Sequence, residues 1–138
     1  MKVLIDTNII IDILEQRKSF FHDSYRIIQL GLEGKLETIV SAGAVTDVYY
    51  IINQSLHNAQ KAKEKIFALV SLVNICHTTS DDINTALTLH ISDFEDAVIA
   101  AIARREKANF IITRNEKDFA NAPVPAISPR QFLREFTG

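Results

Sequence analysis

Four oxygen-rich spots along this chain have residue types that could do chemistry. They are Asp6 with Thr7 and Asn8, then Asp47, then Ser92-Asp93-Phe94-Glu95-Asp96, and last Thr113-Arg114-Asn115 with Asp118. Crowded carboxylates repel one another unless a cation stands among them, and an all-oxygen donor set suits a hard ion such as Mg²⁺ or Mn²⁺. Such ions activate water and stabilise charge on phosphoryl oxygens, which is what phosphodiester hydrolysis needs; paired ions about 3.5–4 Å apart supply both. His22, His57, His77 and His90 are scattered and read as surface or structural residues rather than as an alternative base.

Each spot also has a plainer structural reading. Asp6, Thr7 and Asn8 can all accept hydrogen bonds from the free N–H groups of a helix start. Asp47 lies within a helix on the same side as Tyr50 and Ile51, at the rim of an apolar stripe. Ser92 and Glu95 have the spacing of a capping box, and acids in a first turn gain about 0.3–1 kcal/mol each from the helix dipole. Phe94, Ala97, Val98, Ala101, Ile102 and Arg105 make the core-facing stripe of that helix. Asp93 and Asp96, three apart, then share a face with Ala100, whose small side chain leaves an open floor beside them. Asn115 reads as a helix cap with Asp118 at the third position.

The elements that must position these groups alternate. Strands are expected at 2–6, 36–41, 73–76, 109–113 and 125–128, each a short apolar run. Helices are expected at 7–16, 19–34 (with Gly31 and Gly34 marking its end), 43–54, 58–72, 79–90 and 93–106, with a short one after Arg114 and a last one opening on Pro129. Alternation of this kind predicts a single α/β domain over residues 1–138, a three-layer α/β/α sandwich around a parallel sheet. Ligands in such folds bind beyond the carboxyl ends of the strands, where Asp6 and Thr113 emerge.

Composition narrows the partners. With 15 basic and 17 acidic residues the formal net charge is −2, so a nucleic acid would have to be held by local basic groups or a metal. Arg104, Arg105, Lys107, Arg114, Lys117 and Arg130 gather in the C-terminal third and could line a groove, with Arg104 and Lys107 equally at home on a solvated helix face. Phosphate contacts from such residues would carry no sequence information. Cys76 is the only cysteine, which excludes an intrachain disulfide and favours a reducing compartment. Asp6 and Asp12 interrupt the apolar start, and no apolar run approaches the roughly 20 residues of a membrane span. A soluble cytoplasmic protein is expected.

"VLIDTNIIIDIL", an acid in the helix after the second strand, "DFEDAVIAAIA" and "FIITRNEKDF" together resemble the PIN-domain ribonucleases, and within them the VapC-type toxins of bacterial toxin–antitoxin modules. The likeness runs from Val3 to Phe119. It implies a metal-dependent endoribonuclease with Mg²⁺ or Mn²⁺ held among carboxylates. By position Asp6 matches the first acid, Asp47 the second, Asp96 the third and the Thr113–Asp118 segment the fourth. Asn8 and Thr113 match supporting polar positions, and Arg114, with Lys117 nearby, falls where positive side chains meet nucleic acid. Three features depart from the pattern: Asp47 is shorter than the usual Glu, Asn115 stands where relatives often have Asp so that Asp118 takes that role, and Asp93 is an additional acid that some branches carry. The resemblance further implies a small antitoxin partner and a homodimer, with Tyr49, Tyr50 and the helix at 58–72 as interface. Two alternatives remain open: a catalytically weakened PIN domain that binds RNA or protein, and a haloacid-dehalogenase-like phosphatase, which wants a second Asp where Asn8 stands.

Overall fold

The computed structural model describes residues 1–136. Strand β1 (Lys2–Ile5) leads through helices α1 (Thr7–Leu14) and α2 (Phe21–Leu32) to β2 (Glu37–Ser41). Helices α3 (Ala42–Leu56) and α4 (Ala59–Val70) lead to β3 (Asn74–Cys76), and α5 (Ser80–Ala86) and α6 (Phe94–Arg105) lead to β4 (Phe110–Ile112). A 3-10 turn (Glu116–Phe119), β5 (Ala126–Ile127) and α7 (Pro129–Phe136) follow. The five strands form one parallel sheet in the order β3-β2-β1-β4-β5.

Side chains alternate across the strands and so feed two cores. Val3, Ile5, Val40 and Ile112 face a core built with α1, α2, α3, α4 and Phe132 of α7. Leu4, Ile39 and Ile111 face the other, built with Ile99, Ala100, Ile102 and Ala103 of α6 and with Phe119. Burial on both faces explains why the strands read as continuous apolar runs. The three-layer α/β/α arrangement is the one expected.

The order in which strands are added reverses between β1 and β4. From β1 the chain crosses to β2 on the α1–α2 face, whereas it reaches β4 from β3 by way of α5 and α6 on the other. The two strands are nonetheless paired neighbours, Val3 opposite Phe110 and Ile5 opposite Ile112. A crevice opens at such a switch point because the connections leave in opposite directions.

Several expected boundaries shift. Gly31 lies inside α2, where a Cβ would come within 2.8 Å of Thr38 Oγ1, so glycine there admits a close approach of the helix to β2. Only Gly34, with φ +77, supplies the left-handed turn after the helix. Helix α5 starts as expected, with Thr79 and Asp82 exchanging hydrogen bonds as a capping box. It stops at Ala86 rather than near 90, and the Thr88 hydroxyl donates back to the Thr85 carbonyl beyond its end.

In α6 the expected stripe is wrong in part. Phe94 is exposed, while Ala97, Ile99 and every residue from Ala100 to Ala103 are buried. Arg105 turns outward to clamp Asp82 of α5 with two bonds of 2.9 and 3.0 Å, and also reaches the His77 carbonyl. Among the described residues no helix is long and apolar enough to cross a membrane.

Candidate active site

The rim of the crevice is assembled from backbone ends. β1 stops at Ile5, and Asp6 takes the cap position of α1, its Oδ1 accepting the Thr7 amide at 2.8 Å. Its other oxygen accepts the Thr113 hydroxyl at 2.8 Å, a bond that ties the end of β1 to the end of β4. The same hydroxyl oxygen accepts the Asn115 amide at 3.0 Å and the Asn8 side-chain amide at 3.3 Å, and Asn8 Oδ1 takes the Arg114 amide. Asp6, Asn8, Thr113 and the Asn115 backbone thus form one connected polar patch, with Asp6 only 6% exposed. Beside it Thr7 Oγ1 is buried without a partner.

Helix α6 delivers the second group of acids. Its cap is Asp93, whose Oδ1 accepts the Asp96 amide at 2.9 Å. This corrects the capping box expected of Ser92 and Glu95: the helix begins one residue later, and the acid already in the cluster makes the bond. Ala100, expected to be an open floor, is fully buried in the core. Asp93, Asp96, Asp118 and Lys117 share a recess of about 250 Å³ with His90 and Asn121. His90 contributes its carbonyl, which accepts from the Asn121 side chain, and its ring is exposed.

The electrostatics of this group are lopsided. Burial, then the charges of Asp6, Asp93, Asp118 and Glu95, push the Asp96 carboxyl up to about 7. Burial also raises Asp6, partly offset by the bonds from Thr113 and Thr7. The cluster therefore holds protons that isolated carboxylates would have lost, for want of a countercharge. Among the described residues no three His, Cys, Asp or Glu side chains converge as a ready-made metal cage, so the crowding is of charge rather than of preformed coordination geometry.

Asp47 is placed differently from the other acids. It faces Glu95, whose carboxyl burial and the Asp47 charge raise to about 6, and both line a mostly apolar recess of about 200 Å³ with Phe94, Val98 and Ile99. Glu95 is the residue that sequence reasoning missed as a member of the site. Its cap spacing supplied a sufficient structural role, and nothing in one dimension brings it to Asp47.

Arg114 points away from the carboxylates just described. Its Nε and Nη2 bond Asp12 of α1 at 2.6 and 3.2 Å, and its guanidinium lies 4.2 Å from the Phe20 ring centroid. Asp12 is fully buried and is also reached by Arg17. The pair staples α1 to the loop after β4. Asn115 caps the 3-10 turn without a side-chain bond, and Lys117 and Asp118 are exposed.

A parallel sheet in this order, with acids gathered at the β1–β4 switch, invites comparison with known proteins. The model of the PIN domain matches residues 2–117. The chain belongs to the PIN-domain family. A curated relative of this PIN domain, Ribonuclease VapC1 of Aquifex aeolicus (strain VF5), is 25% identical over 140 residues, covering 98% of this chain and 95% of the relative. Among solved structures, a toxin–antitoxin complex from Klebsiella pneumoniae is 25% identical with a TM-score of 0.65, covering 92% of this chain and 97% of the other. VapBC2 from Rickettsia felis, bound to a DNA fragment from its promoter, is 18% identical with a TM-score of 0.74, over 93% and 98% of the two chains, a likeness of fold. With the PIN-domain family established, the haloacid-dehalogenase-like alternative falls.

Proposed function

We propose that this PIN domain is a metal-dependent endoribonuclease that hydrolyses RNA phosphodiester bonds, acting in the cytoplasm as the toxin of a toxin–antitoxin pair. The observation that carries the reading is the gathering of Asp6, Asp93, Asp96 and Asp118 at the switch point, where burial and then the neighbouring charges keep the Asp96 proton to about 7. A cluster of that kind is destabilising by itself and becomes favourable around a divalent cation. The donors fit a hard ion in charge and chemistry, and the raised Asp6 and Asp96 carboxyls lack the countercharge that such an ion brings.

Asp6, Asp96 and Asp118, with Asp93, would hold Mg²⁺ or Mn²⁺. The bound ion supplies an activated water and charge stabilisation at the phosphoryl group. Thr113 and Asn8 orient Asp6 through the 2.8 and 3.3 Å bonds already described. Lys117, at the mouth of the same recess, meets a phosphate of the incoming strand. Asn115, its side chain uncommitted to the turn, is available to a ribose or phosphate oxygen. Asp47 acts through Glu95: burial, then the Asp47 charge, raise the Glu95 carboxyl to about 6, within reach of neutral-pH acid–base chemistry.

The toxin–antitoxin complexes among the similar structures support an antitoxin partner, which would cover the acidic groove, and the resemblance to the family implies a second copy of the chain. The deciding experiment is cleavage of RNA by the pure protein with Mg²⁺ or Mn²⁺, with EDTA, and with Asp6→Ala or Asp96→Ala. Metal-dependent cleavage lost in both variants is expected. Equal activity in all three proteins would refute the assignment, and RNA binding without cleavage would favour the weakened, binding-only alternative.

A further inference from the structure

A second cleft, of about 470 Å³, opens on the far side of Arg114 from the carboxylates, between the starts of α2 and α7. Two helices of 12 and 8 residues begin there; the Phe21 amide is taken by the Arg17 carbonyl and the Gln131 amide by the Ser128 hydroxyl, which leaves the amides of His22, Asp23 and Arg130 to a ligand. The cap position of α2 is Phe20, which makes no side-chain bond to those amides. The wall also holds Ser24, only 1% exposed, whose hydroxyl oxygen has no hydrogen-bond partner. A buried hydroxyl left in that state is unfavourable unless something completes it.

Charge in the cleft is arranged for an anion. Arg114 has its Nε and Nη2 on Asp12 and its Nη1 uncommitted. Arg130, with 77% of its side chain exposed, has only a loose 3.6 Å contact with Asp23, the one acid in the wall. Hydroxyl, amide and guanidinium donors approaching from several directions suit a tetrahedral group with several oxygens better than a planar carboxylate.

We propose that this cleft is a phosphate subsite, occupied by a backbone phosphate of the RNA strand whose neighbouring bond lies at the carboxylates. The assignment to RNA rests on the ribonuclease reading and on continuity along the chain. Arg114 directly follows Thr113, whose hydroxyl holds Asp6, so one loop borders both places. A bound phosphate takes Arg130 from Asp23 and accepts from Ser24 and the uncommitted His22, Asp23 and Arg130 amides.

The test uses the full chain in EDTA, where no cleavage occurs. Inorganic phosphate titrated against amide NMR signals should give saturable shifts confined to residues 19–24, 114 and 128–131. Arg130→Ala should weaken binding about five-fold or more and Ser24→Ala about three-fold. Asp23→Asn should tighten it by a similar factor, an outcome a merely structural cleft would not give. A short RNA should displace the phosphate, and Arg130→Ala should lower the salt slope of RNA binding by about one.

Shifts that never saturate, or that are the same in Arg130→Ala and Asp23→Asn, overturn the subsite. Phosphate binding that RNA does not displace overturns its assignment to the strand and leaves a site for free phosphate. RNA cleavage by the wild type is scored separately, so a chain that binds phosphate here yet never cuts RNA counts against the ribonuclease reading and not against the subsite.

Discussion

Replacing Asp96 by Asn should stabilise the metal-free protein while abolishing cleavage. In the unfolded chain this carboxyl loses its proton near 3.8, and in the fold it keeps it to about 7. Between those values the folded chain binds more protons than the unfolded one, so this group's contribution to stability falls as pH rises and is least above 7. At ~1.4 kcal/mol per pH unit the full rise would be worth about 4 kcal/mol, but the carboxylate sits at a half-open rim. Solvent screening reduces that to about 1–2 kcal/mol. Asn keeps the shape and leaves untouched the backbone amide that Asp93 accepts.

Thermal unfolding in EDTA at pH 8 should therefore give a Tm about 3–8 °C higher for Asp96→Asn. The gap should close toward pH 5, where the wild-type carboxyl is already neutral. Added Mn²⁺ should raise the wild-type Tm and have little effect on the variant. A variant less stable than wild type at pH 8, or one shifted equally at pH 5 and 8, would refute the electrostatic account of the cluster.

Substitutions at three other positions separate structural from chemical roles. Thr113→Val removes the hydroxyl shared by Asp6, Asn8 and the Asn115 amide; urea denaturation should show a loss of about 1–3 kcal/mol and single-turnover cleavage should slow in parallel. Arg114→Ala leaves the fully buried Asp12 with only the 3.4 Å contact to Arg17, and should cost about 3 kcal/mol in the same denaturation assay, with Arg114→Lys recovering only part. Asp93→Ala should lose about 1 kcal/mol of helix capping that Asp93→Ser retains. If both lower cleavage equally under Mg²⁺, Asp93 serves the ion as well as the helix; if Ser restores it, capping is its whole role.

What could be read in one dimension depended on how local the cause was. β1 and β4 were visible because strands buried on both faces carry unbroken apolar runs, and the polar residue ending each run marked the rim where Asp6 and Thr113 meet. The start of α6 was misread by one residue because Ser92 and Asp93 are equally good caps, and either choice leaves an acid in the first turn. Its stripe was misjudged because an alanine-rich helix buried along six residues from Ala97 onward has little polar contrast to set its phase. The ion pair of Arg114 with Asp12 could not be read from the sequence because the two are 102 residues apart. The Asp47–Glu95 pairing likewise needs two helices side by side, which no spacing rule supplies.

The cap on α6 has a consequence for how occupancy of the site can be watched. Asp93 Oδ1 is engaged with the Asp96 amide, so any ligand that draws this oxygen away releases that N–H to solvent. Deuterium uptake at a single backbone position then reports what happens among the side chains. A helix that frays at Asp96 on loading means Asp93 has changed partners; one that stays protected means the second Asp93 oxygen suffices and the helix start remains as rigid as before.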